Sequence, residues 1–225
     1  MRLLRNLLTL LVASALLCAP ATAQDYGNLA TVQDIVQAVE GVYGDVDALQ
    51  ADFVQVSRSA ALGDEQRQKG NVVVKRPRKM RWEFTAPDRK LFLTDGETMW
   101  IWSPADNQVI VYKDFSSNGS DVTGLLSDLN KLDELFEVQL VEAEGAGRSY
   151  VLDLTPKASD AGSFKQLRIT FSKRKLLVER VQLTDQFDNV TDLTFTQVKL
   201  DAKVDADSFV FQVPAGAEVI TPEGF

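Results

Sequence analysis

Runs of alternating apolar and polar residues recur along most of the chain after Leu49, and they constrain the fold more than any other feature. A period of two puts every second side chain on one face of an extended strand. Turn residues such as Asp95-Gly96 and Asp188-Asn189 separate the runs, and no β-α-β rhythm is present. The pattern predicts one antiparallel sheet, strongly curved or barrel-like. The predicted strands lie around Phe53 and at 80–84, 91–93, 99–102, 109–112, 136–140, 150–154, 167–171, 176–183, 193–198 and 209–213.

Two segments have helical spacing instead of alternation. The first predicts a helix that has Thr31 as its N-cap, Asp34 three residues later as in a capping box, and its end at Gly41 to Gly44. The second lies between Phe115 and Phe136 and predicts one broken helix or two short ones. Apolar residues recur at i, i+3, i+4 and i+7 in the first segment, as Val32, Ile35, Val36 and Val39.

Two or three short helices can cover only part of the apolar face of so large a sheet. The run Met99-Trp100-Ile101-Trp102 is apolar at every position, so this strand should be covered on both faces or should line a space. Helices laid over a curved sheet would leave an apolar cavity suited to an acyl chain. An ordinary filled core produces the same pattern, and the residues alone favour the filled core.

The first 23 residues have the organisation of a secretory signal peptide. Arg2 and Arg5 precede an apolar stretch at 7–17, and Ala21-Thr22-Ala23 is an A-x-A cleavage site. The apolar stretch is too short to cross a bilayer as a helix. We therefore expect export, cleavage after Ala23, and one domain over 24–225. Cys18 follows the large residue Leu17, which does not fit a lipoprotein cleavage site, so a soluble chain is expected rather than an anchored one.

Composition after this cleavage limits the chemistry. The chain has no histidine, and its one cysteine would leave with the signal peptide. Disulfides, Ser-His-Asp and Cys-His nucleophile systems, and histidine or thiolate metal sites are then excluded. Loss of two arginines takes the net charge from −8 to −10, which disfavours nucleic acid and anionic membranes as partners. We expect no enzyme activity, no metal and no cofactor.

Four blocks of sequence resemble a known family. They are Lys75-Arg76-Pro77 with the aromatic run Met80-Arg81-Trp82-Glu83-Phe84, the stretch at 93–104, the stretch at 154–167, and the stretch at 204–211 with Pro214 and Gly216. In their content and order these blocks are similar to the LolA family of periplasmic lipoprotein carriers. The resemblance extends from Thr31 to about Val219.

The resemblance implies a mostly β (α+β) fold. A single strongly curved antiparallel sheet would form an incomplete barrel, covered by a lid of two or three short helices around an apolar cavity. It also implies a monomeric periplasmic chaperone that takes acylated lipoproteins from an inner-membrane lipoprotein-releasing ABC exporter. The chaperone would pass them to an acceptor at the outer membrane, where one exists, without a cofactor. With the resemblance, the expectation shifts from a filled core toward a cavity.

Arg76 is implied to be the latch of the lid, because the family's arginine before proline bonds to lid-helix backbone. The residues alone favour a solvated charge within a basic run. The acyl-chain cavity is expected to be lined by the sheet and by both helical segments, although each residue taken singly fits a plain core position. The expected lining is Met80, Trp82 and Phe84, Trp100 or Trp102, then Ile35, Val36 and Val39, and Leu125, Leu126 and Leu129.

Three other functions remain open. The same fold occurs in outer-membrane lipoprotein acceptors, which would require an acylated Cys18. No residue excludes a chain that serves as both carrier and acceptor in a cell without a separate acceptor. A periplasmic lipoprotein-sensing regulator also shares the fold, but such regulators usually carry a second domain. A hydrolase built on carboxylates is the alternative from another class, although no carboxylate pair has a spacing that stands out from surface charge.

Overall fold

The structure, a computed structural model, describes residues 25–113, 115, 122–141, 146–157 and 164–222. The proposed signal peptide with Cys18 lies outside the described residues, as do the turn residues 116–121 before the second helical segment. Three α-helices are present in the described residues, α1 (Val32–Gly44), α2 (Val122–Ser127) and α3 (Leu132–Leu135). The strands are β1 (Ala48–Arg58), β2 (Glu65–Lys75), β3 (Lys79–Ala86), β4 (Lys90–Thr94), β5 (Met99–Ser103), β6 (Gln108–Tyr112), β7 (Phe136–Val141), β8 (Ser149–Pro156), β9 (Phe164–Ser172), β10 (Val178–Asp185), β11 (Val190–Leu200) and β12 (Glu218–Ile220).

All of these strands pair in one sheet, in the order β12-β6-β5-β4-β3-β2-β1-β11-β10-β9-β8-β7. Strands β1 to β6 form one meander and β7 to β11 form another, and the pairing of β1 with β11 joins the two. Only β12 runs parallel to its neighbour, β6, among the described pairs. The sheet is open between β7 and β12, and it curves so that side chains from both meanders share one core with α1. The prediction of a mostly β fold with one curved sheet and few short helices is confirmed.

Two strand predictions differ from the structure. No strand was predicted at β2, because the first half of Glu65–Lys75 is polar and shows no alternation, and it lies exposed. The strand predicted at 209–213 is wrong. Phe209 ends a short 3₁₀ helix, Ala206–Phe209, and the strand nearby is the three-residue β12 at Glu218–Ile220. Phe209 and Phe211 of this stretch cover the sheet from outside instead of extending it, and Val210 and Val213 are exposed.

Helix α1 begins as predicted. The Asp34 N–H donates to Thr31 Oγ1 at 3.1 Å, and the Thr31 N–H donates to Asp34 Oδ2 at 3.2 Å, which completes a capping box. The buried side of the helix carries Ile35, Val36, Val39 and Tyr43. The Tyr43 hydroxyl donates to the Leu176 carbonyl at 3.1 Å and accepts from the Val178 N–H at 3.0 Å. These bonds fix the end of α1 to the turn between β9 and β10, and burial raises the pKa of Tyr43 far above its ordinary value.

The second helical segment is broken, as predicted. Helix α2 ends at Ser127, a 3₁₀ turn follows at Leu129–Lys131, and α3 comes directly after it. The break falls at Asp128, whose N–H is shared between the carbonyls of Gly124 and Leu125 at 3.1 Å each. Despite the break, the leucines of the segment share one buried side. These are Leu125, Leu126, Leu129 and Leu132, all at most 3% exposed.

The inner face of the sheet, defined here as the face that packs against α1, depends on one glycine. Gly70 in β2 lies between Phe53 of β1 and Phe84 of β3, which are opposite it in register. The two rings meet edge to face with centroids 5.1 Å apart. A Cβ at position 70 would lie 1.9 Å from the Glu83 carbonyl oxygen and 2.9 Å from Phe53 Cζ. A larger residue therefore cannot occupy this position without moving β3.

The outer face differs between the two meanders. Over β4 to β6 it is apolar and is covered by the C-terminal segment, through Phe209, which is 2% exposed, and Phe211. Over β8 and β9 it is polar. There Arg168 donates two hydrogen bonds to Asp153, at 2.6 and 2.8 Å. These bonds hold the pKa of the Asp153 carboxyl below its usual value.

Candidate functional site

The side chain of Arg76 joins the two helical segments. Its Nη1 donates to the Gly44 carbonyl at 2.9 Å, and its Nη2 donates to the Tyr43 carbonyl at 2.7 Å. Nη2 also donates to Asn130 Oδ1 at 2.8 Å. The two carbonyls belong to the last turn of α1, where carbonyls lack partners within the helix and the dipole is negative. A single cation thus caps α1 and holds the 3₁₀ turn of the second segment against it.

The sheet places Arg76 at this point. Strand β2 ends at Lys75, which pairs with Ala48 at the start of β1, directly after the turn that follows α1. The Arg76 N–H donates to the Asp47 carbonyl at 2.9 Å, which fixes the backbone beside the helix end. The planar guanidinium then reaches three acceptors in different directions, which an ammonium group does not do equally well.

Two further contacts hold the helical segments in place. Glu40 Oε1 of α1 accepts from the Asp133 N–H at 2.8 Å, at the first turn of α3. At the other end of α3, the Lys157 N–H donates to the Leu135 carbonyl at 2.9 Å. The contact of Glu40 is exposed to solvent, where such bonds contribute little net stability. The polar contacts that join the helices to each other and to the sheet are therefore few and lie at the helix ends, and the rest of their contact is apolar packing.

Beneath the helices, the predicted lining residues form one apolar cluster with residues of both meanders. Phe53 and Trp82 have ring centroids 4.9 Å apart, and Trp82 also meets Phe195 of β11 at 6.3 Å. The indole Nε1 of Trp82 is buried and has no hydrogen-bond partner among the described residues. Nine of the side chains expected to line the acyl-chain cavity lie in this cluster, each at most 7% exposed: Ile35, Val36, Val39, Met80, Trp82, Phe84, Leu125, Leu126 and Leu129.

A comparison with protein families agrees with this architecture. The model of the family described as outer membrane lipoprotein carrier protein LolA matches residues 44–212. This chain belongs to the LolA family. The match spans the sheet from the end of α1 to the segment that covers the outer face, and it includes Arg76.

Individual members of the LolA family match at comparable length. The chain is 36% identical over 172 residues to an outer-membrane lipoprotein carrier protein of Dechloromonas aromatica (strain RCB), covering 76% of this chain and 80% of the relative. It is 34% identical to one of Azotobacter vinelandii (strain DJ / ATCC BAA-1303), covering 98% of this chain and 99% of the relative. The crystal structure of an uncharacterized conserved protein from Thermus thermophilus has a TM-score of 0.53, with 16% identity over 84% of this chain and 98% of that chain. That likeness concerns the fold alone.

One expectation about the lining is wrong, because neither Trp100 nor Trp102 faces the interior. Directly opposite residues of paired strands point to the same face. Trp82 is opposite Phe92, and Phe92 is opposite Ile101, so Ile101 shares the inner face. Both tryptophans alternate with Ile101 and face outward, where Trp100 stacks on Phe211 with ring centroids 5.7 Å apart. All five residues of β5 are partly buried, so neither burial nor alternation identifies its inner face without the strand register.

Sequence reasoning also missed half of the interior. The expected lining came from β3, β5 and the helices, whereas the second meander contributes as many fully buried side chains. These include Leu152, Leu154, Leu167, Ile169, Val181, Leu193 and Phe195. They join the cluster through the pairing of Phe53 with Phe195, a contact between residues 142 positions apart that no local pattern reveals. Asn130 and Glu40 were not predicted as contacts between the helical segments, because the spacing of polar residues on a helix does not show which of them contact another element.

No helix among the described residues has the length and apolar character needed to cross a membrane. In the same part of the chain, no three His, Cys, Asp or Glu residues are grouped so as to hold a metal ion.

Proposed function

We propose that this protein is a periplasmic lipoprotein chaperone, which encloses the acyl chains of its cargo between the inner face and the helices. The observation that carries the proposal is the combination of a large apolar interior with a helical cover fastened by few polar contacts. The names of its relatives support the same function, because they describe outer-membrane lipoprotein carriers. No step of this function requires a bond to be made or broken, so we propose a carrier and not an enzyme.

The physical need for such a carrier follows from the cost of exposing acyl chains to water. Burial of acyl chains is worth about 0.8 kcal/mol per CH₂ group, so a multiply acylated protein does not cross an aqueous compartment unaided. The carrier has to offer a comparable apolar surface and still release its cargo. In the structure, Trp82 and its neighbours bury one another. Cargo entry therefore requires the helices to move away and the apolar side chains to exchange partners.

Arg76 is proposed as the latch of this movement. In the closed arrangement its three hydrogen bonds hold α1 against the 3₁₀ turn at Leu129–Lys131. Each such bond contributes about 0.5–1.5 kcal/mol net, because water replaces it when it breaks. Water can therefore replace these bonds when the helices open for cargo, while the apolar packing beneath them encloses the interior in the closed arrangement.

The partners follow from this role. We propose that an inner-membrane lipoprotein-releasing ABC exporter loads the protein and that an outer-membrane acceptor, where present, unloads it. An anchored acceptor with the same fold would carry lipid on Cys18. The intact mass of the mature protein separates the two functions, because a chain that begins at Gln24 without lipid cannot be anchored through Cys18.

Native mass spectrometry of the protein purified from periplasm tests the proposal. We expect a fraction of the molecules to carry one acylated lipoprotein, identified by its intact mass and by its fatty acids after dissociation. A cargo lipoprotein with its acylated cysteine replaced by serine is the matched control and should not bind. Equal binding of the acylated and unacylated forms would contradict the proposal.

A further inference from the structure

Two hairpin turns of the sheet each expose one large apolar side chain. Leu62 lies in the turn between β1 and β2 and is 80% exposed, and Phe187 lies in the turn between β10 and β11 and is 81% exposed. The next most exposed large apolar side chain among the described residues, Val210, is 59% exposed. Turns usually carry polar residues, whereas Leu62 and Phe187 are the most exposed large apolar side chains in the described part of the chain. We call Leu62 and Phe187 the tip pair.

The two turns are neighbours at one end of the sheet. Strands β1 and β11 are paired up to the position where Arg58 lies opposite Val190. Beyond that point, the Ala60 N–H donates to Asn189 Oδ1 at 3.0 Å, which ties one turn to the other. The tip pair therefore belongs to a single surface made of two linked turns.

Local hydrogen bonds hold both turns in shape. The Leu62 N–H donates to Ser59 Oγ at 3.2 Å, and the next residue, Gly63, has the positive φ of 68° that this turn requires. The Phe187 N–H donates to Asp185 Oδ1 at 2.8 Å, and Asp185 also accepts from the Asn189 N–H at 2.9 Å. Fixed turns of this kind keep the two apolar side chains pointing outward instead of folding back onto the sheet.

The charges around the tip pair are largely paired with one another. Arg58 contacts Glu65 at 2.9 Å, and Lys165 contacts Asp188 at 2.6 Å. The remaining charges on these turns and the adjoining strand ends are Asp64, Arg67 and Asp185, so the local excess is one negative charge. Such a surface does not attract anionic headgroups, and its nearly neutral field suits a zwitterionic lipid surface.

We infer that the tip pair is a lipid-contact surface that inserts shallowly into a zwitterionic phospholipid bilayer. Two protruding apolar side chains can enter a bilayer directly at the boundary between its headgroups and acyl chains. A protein partner would instead have to supply two matching pockets. The turns lie at the opposite end of the long β1–β2 hairpin from Arg76, roughly 30 Å away at about 3.3 Å per residue. Contact with a membrane at this end leaves α1 and the latch free to move. The inference rests on the proposed function in one respect only, because a lipoprotein carrier has a reason to contact a membrane.

Vesicle flotation tests this inference. Mature protein would be mixed with vesicles of phosphatidylcholine and phosphatidylethanolamine, and the bound fraction measured as lipid concentration rises. Replacing both tip residues, Leu62→Ser with Phe187→Ser, should lower the partition coefficient at least about tenfold, since each loses an apolar group from the acyl boundary. The matched control replaces two half-exposed valines elsewhere, Val213→Ser with Val219→Ser, and should change binding less than about twofold.

An environment-sensitive label provides a second measurement. The proposed mature chain has no cysteine, so a Leu62→Cys variant takes a single NBD group at the tip and a Val213→Cys variant takes one away from it. We expect a blue shift and increased emission with vesicles for the first label and no change for the second. Unchanged circular dichroism and thermal midpoint of the serine variants would show that any loss of binding is local.

Several results would overturn the inference. One is the absence of wild-type flotation at millimolar lipid, and another is equal flotation of the tip variant and wild type. Concentration-dependent self-association that disappears in the tip variant, without vesicle binding, would assign the surface to a second copy of the chain. Cargo binding separates this inference from the proposed function: a protein that binds acylated cargo but not vesicles contradicts only the former, and one that binds vesicles but not cargo contradicts only the latter.

Discussion

At the scale of single residues, Arg76 is the side chain whose hydrogen bonds join the two helical segments. Its guanidinium satisfies two carbonyls at the end of α1 and one side-chain amide on the second segment. Its charge alone does not distinguish it from Lys75, Arg78 or Lys79 in the same basic run, and only the family resemblance implied that it is the latch. The structure adds the contacts of its guanidinium, which depend on the strand register that places the end of β2 beside the end of α1.

Replacing Arg76 by leucine should loosen the helical cover while leaving the apolar interior intact. We expect bound acylated cargo to remain, transfer to an acceptor to be impaired, and amide hydrogen exchange to increase along α1. The loss of stability should be about 1.5–4.5 kcal/mol, from three hydrogen bonds of about 0.5–1.5 kcal/mol each. Arg81→Leu, which removes an outer-face arginine that contacts Glu83, is the control and should transfer cargo normally. Normal transfer by Arg76→Leu in a reconstituted assay would remove Arg76 from the mechanism.

At the scale of elements, the sequence predicted those elements whose pattern is local. The capping box of α1, the broken second helix and most strands were predicted because each depends on residues close in the chain. Strand β2 was missed because half of it is polar, and the strand at 209–213 was wrong because Phe209 and Phe211 pack onto the outer face. The inward or outward direction of Trp100 depends on pairing with β4, which alternation does not specify.

The packing of β2 between β1 and β3 gives an element-scale prediction with an internal control. Gly70→Ala should destabilise the fold by roughly 3 kcal/mol or more, because its Cβ would lie 1.9 Å from the Glu83 carbonyl oxygen. Gly41→Ala on the exposed side of α1 meets nothing within 4 Å, and it should stabilise by about 0.5–1 kcal/mol through helix propensity. Chemical denaturation of the two variants measures both values. Equal effects of the two substitutions would contradict the register described for Gly70.

At the scale of the whole molecule, two coverings make the sheet stable in water. The helices cover the inner face, and the C-terminal segment covers the outer face of β4 to β6. The outer face of β8 and β9 needs no cover, because it is polar and carries the ion pair of Arg168 with Asp153. The structure packs this interior as a filled core, which the residues alone favoured, and the acyl-chain cavity implied by the family resemblance stays a prediction. The contribution of the second meander came only from the structure.

The stability of the whole molecule should depend on pH through Asp153. The hydrogen bonds from Arg168 lower the pKa of this carboxyl in the folded protein, so its contribution is present above the unfolded pKa of about 3.9. That contribution is lost as pH falls from about 4 toward the lower folded value. We expect the free energy of unfolding to decrease between about pH 5 and pH 3, and less steeply in Asp153→Asn. Arg168→Met should flatten the slope in the same way, and an unchanged slope in both variants would contradict the assignment.

Photo-crosslinking from two adjacent residues tests whether acyl chains occupy the space between the inner face and the helices. Ile101 faces inward and Trp100 outward on the same strand, so a benzoylphenylalanine at either position samples opposite faces of β5. With a lipoprotein carrying a radiolabelled acyl chain, we expect labelled product from position 101 and none above background from position 100. Equal labelling from both positions, or labelling from position 100 alone, would contradict it.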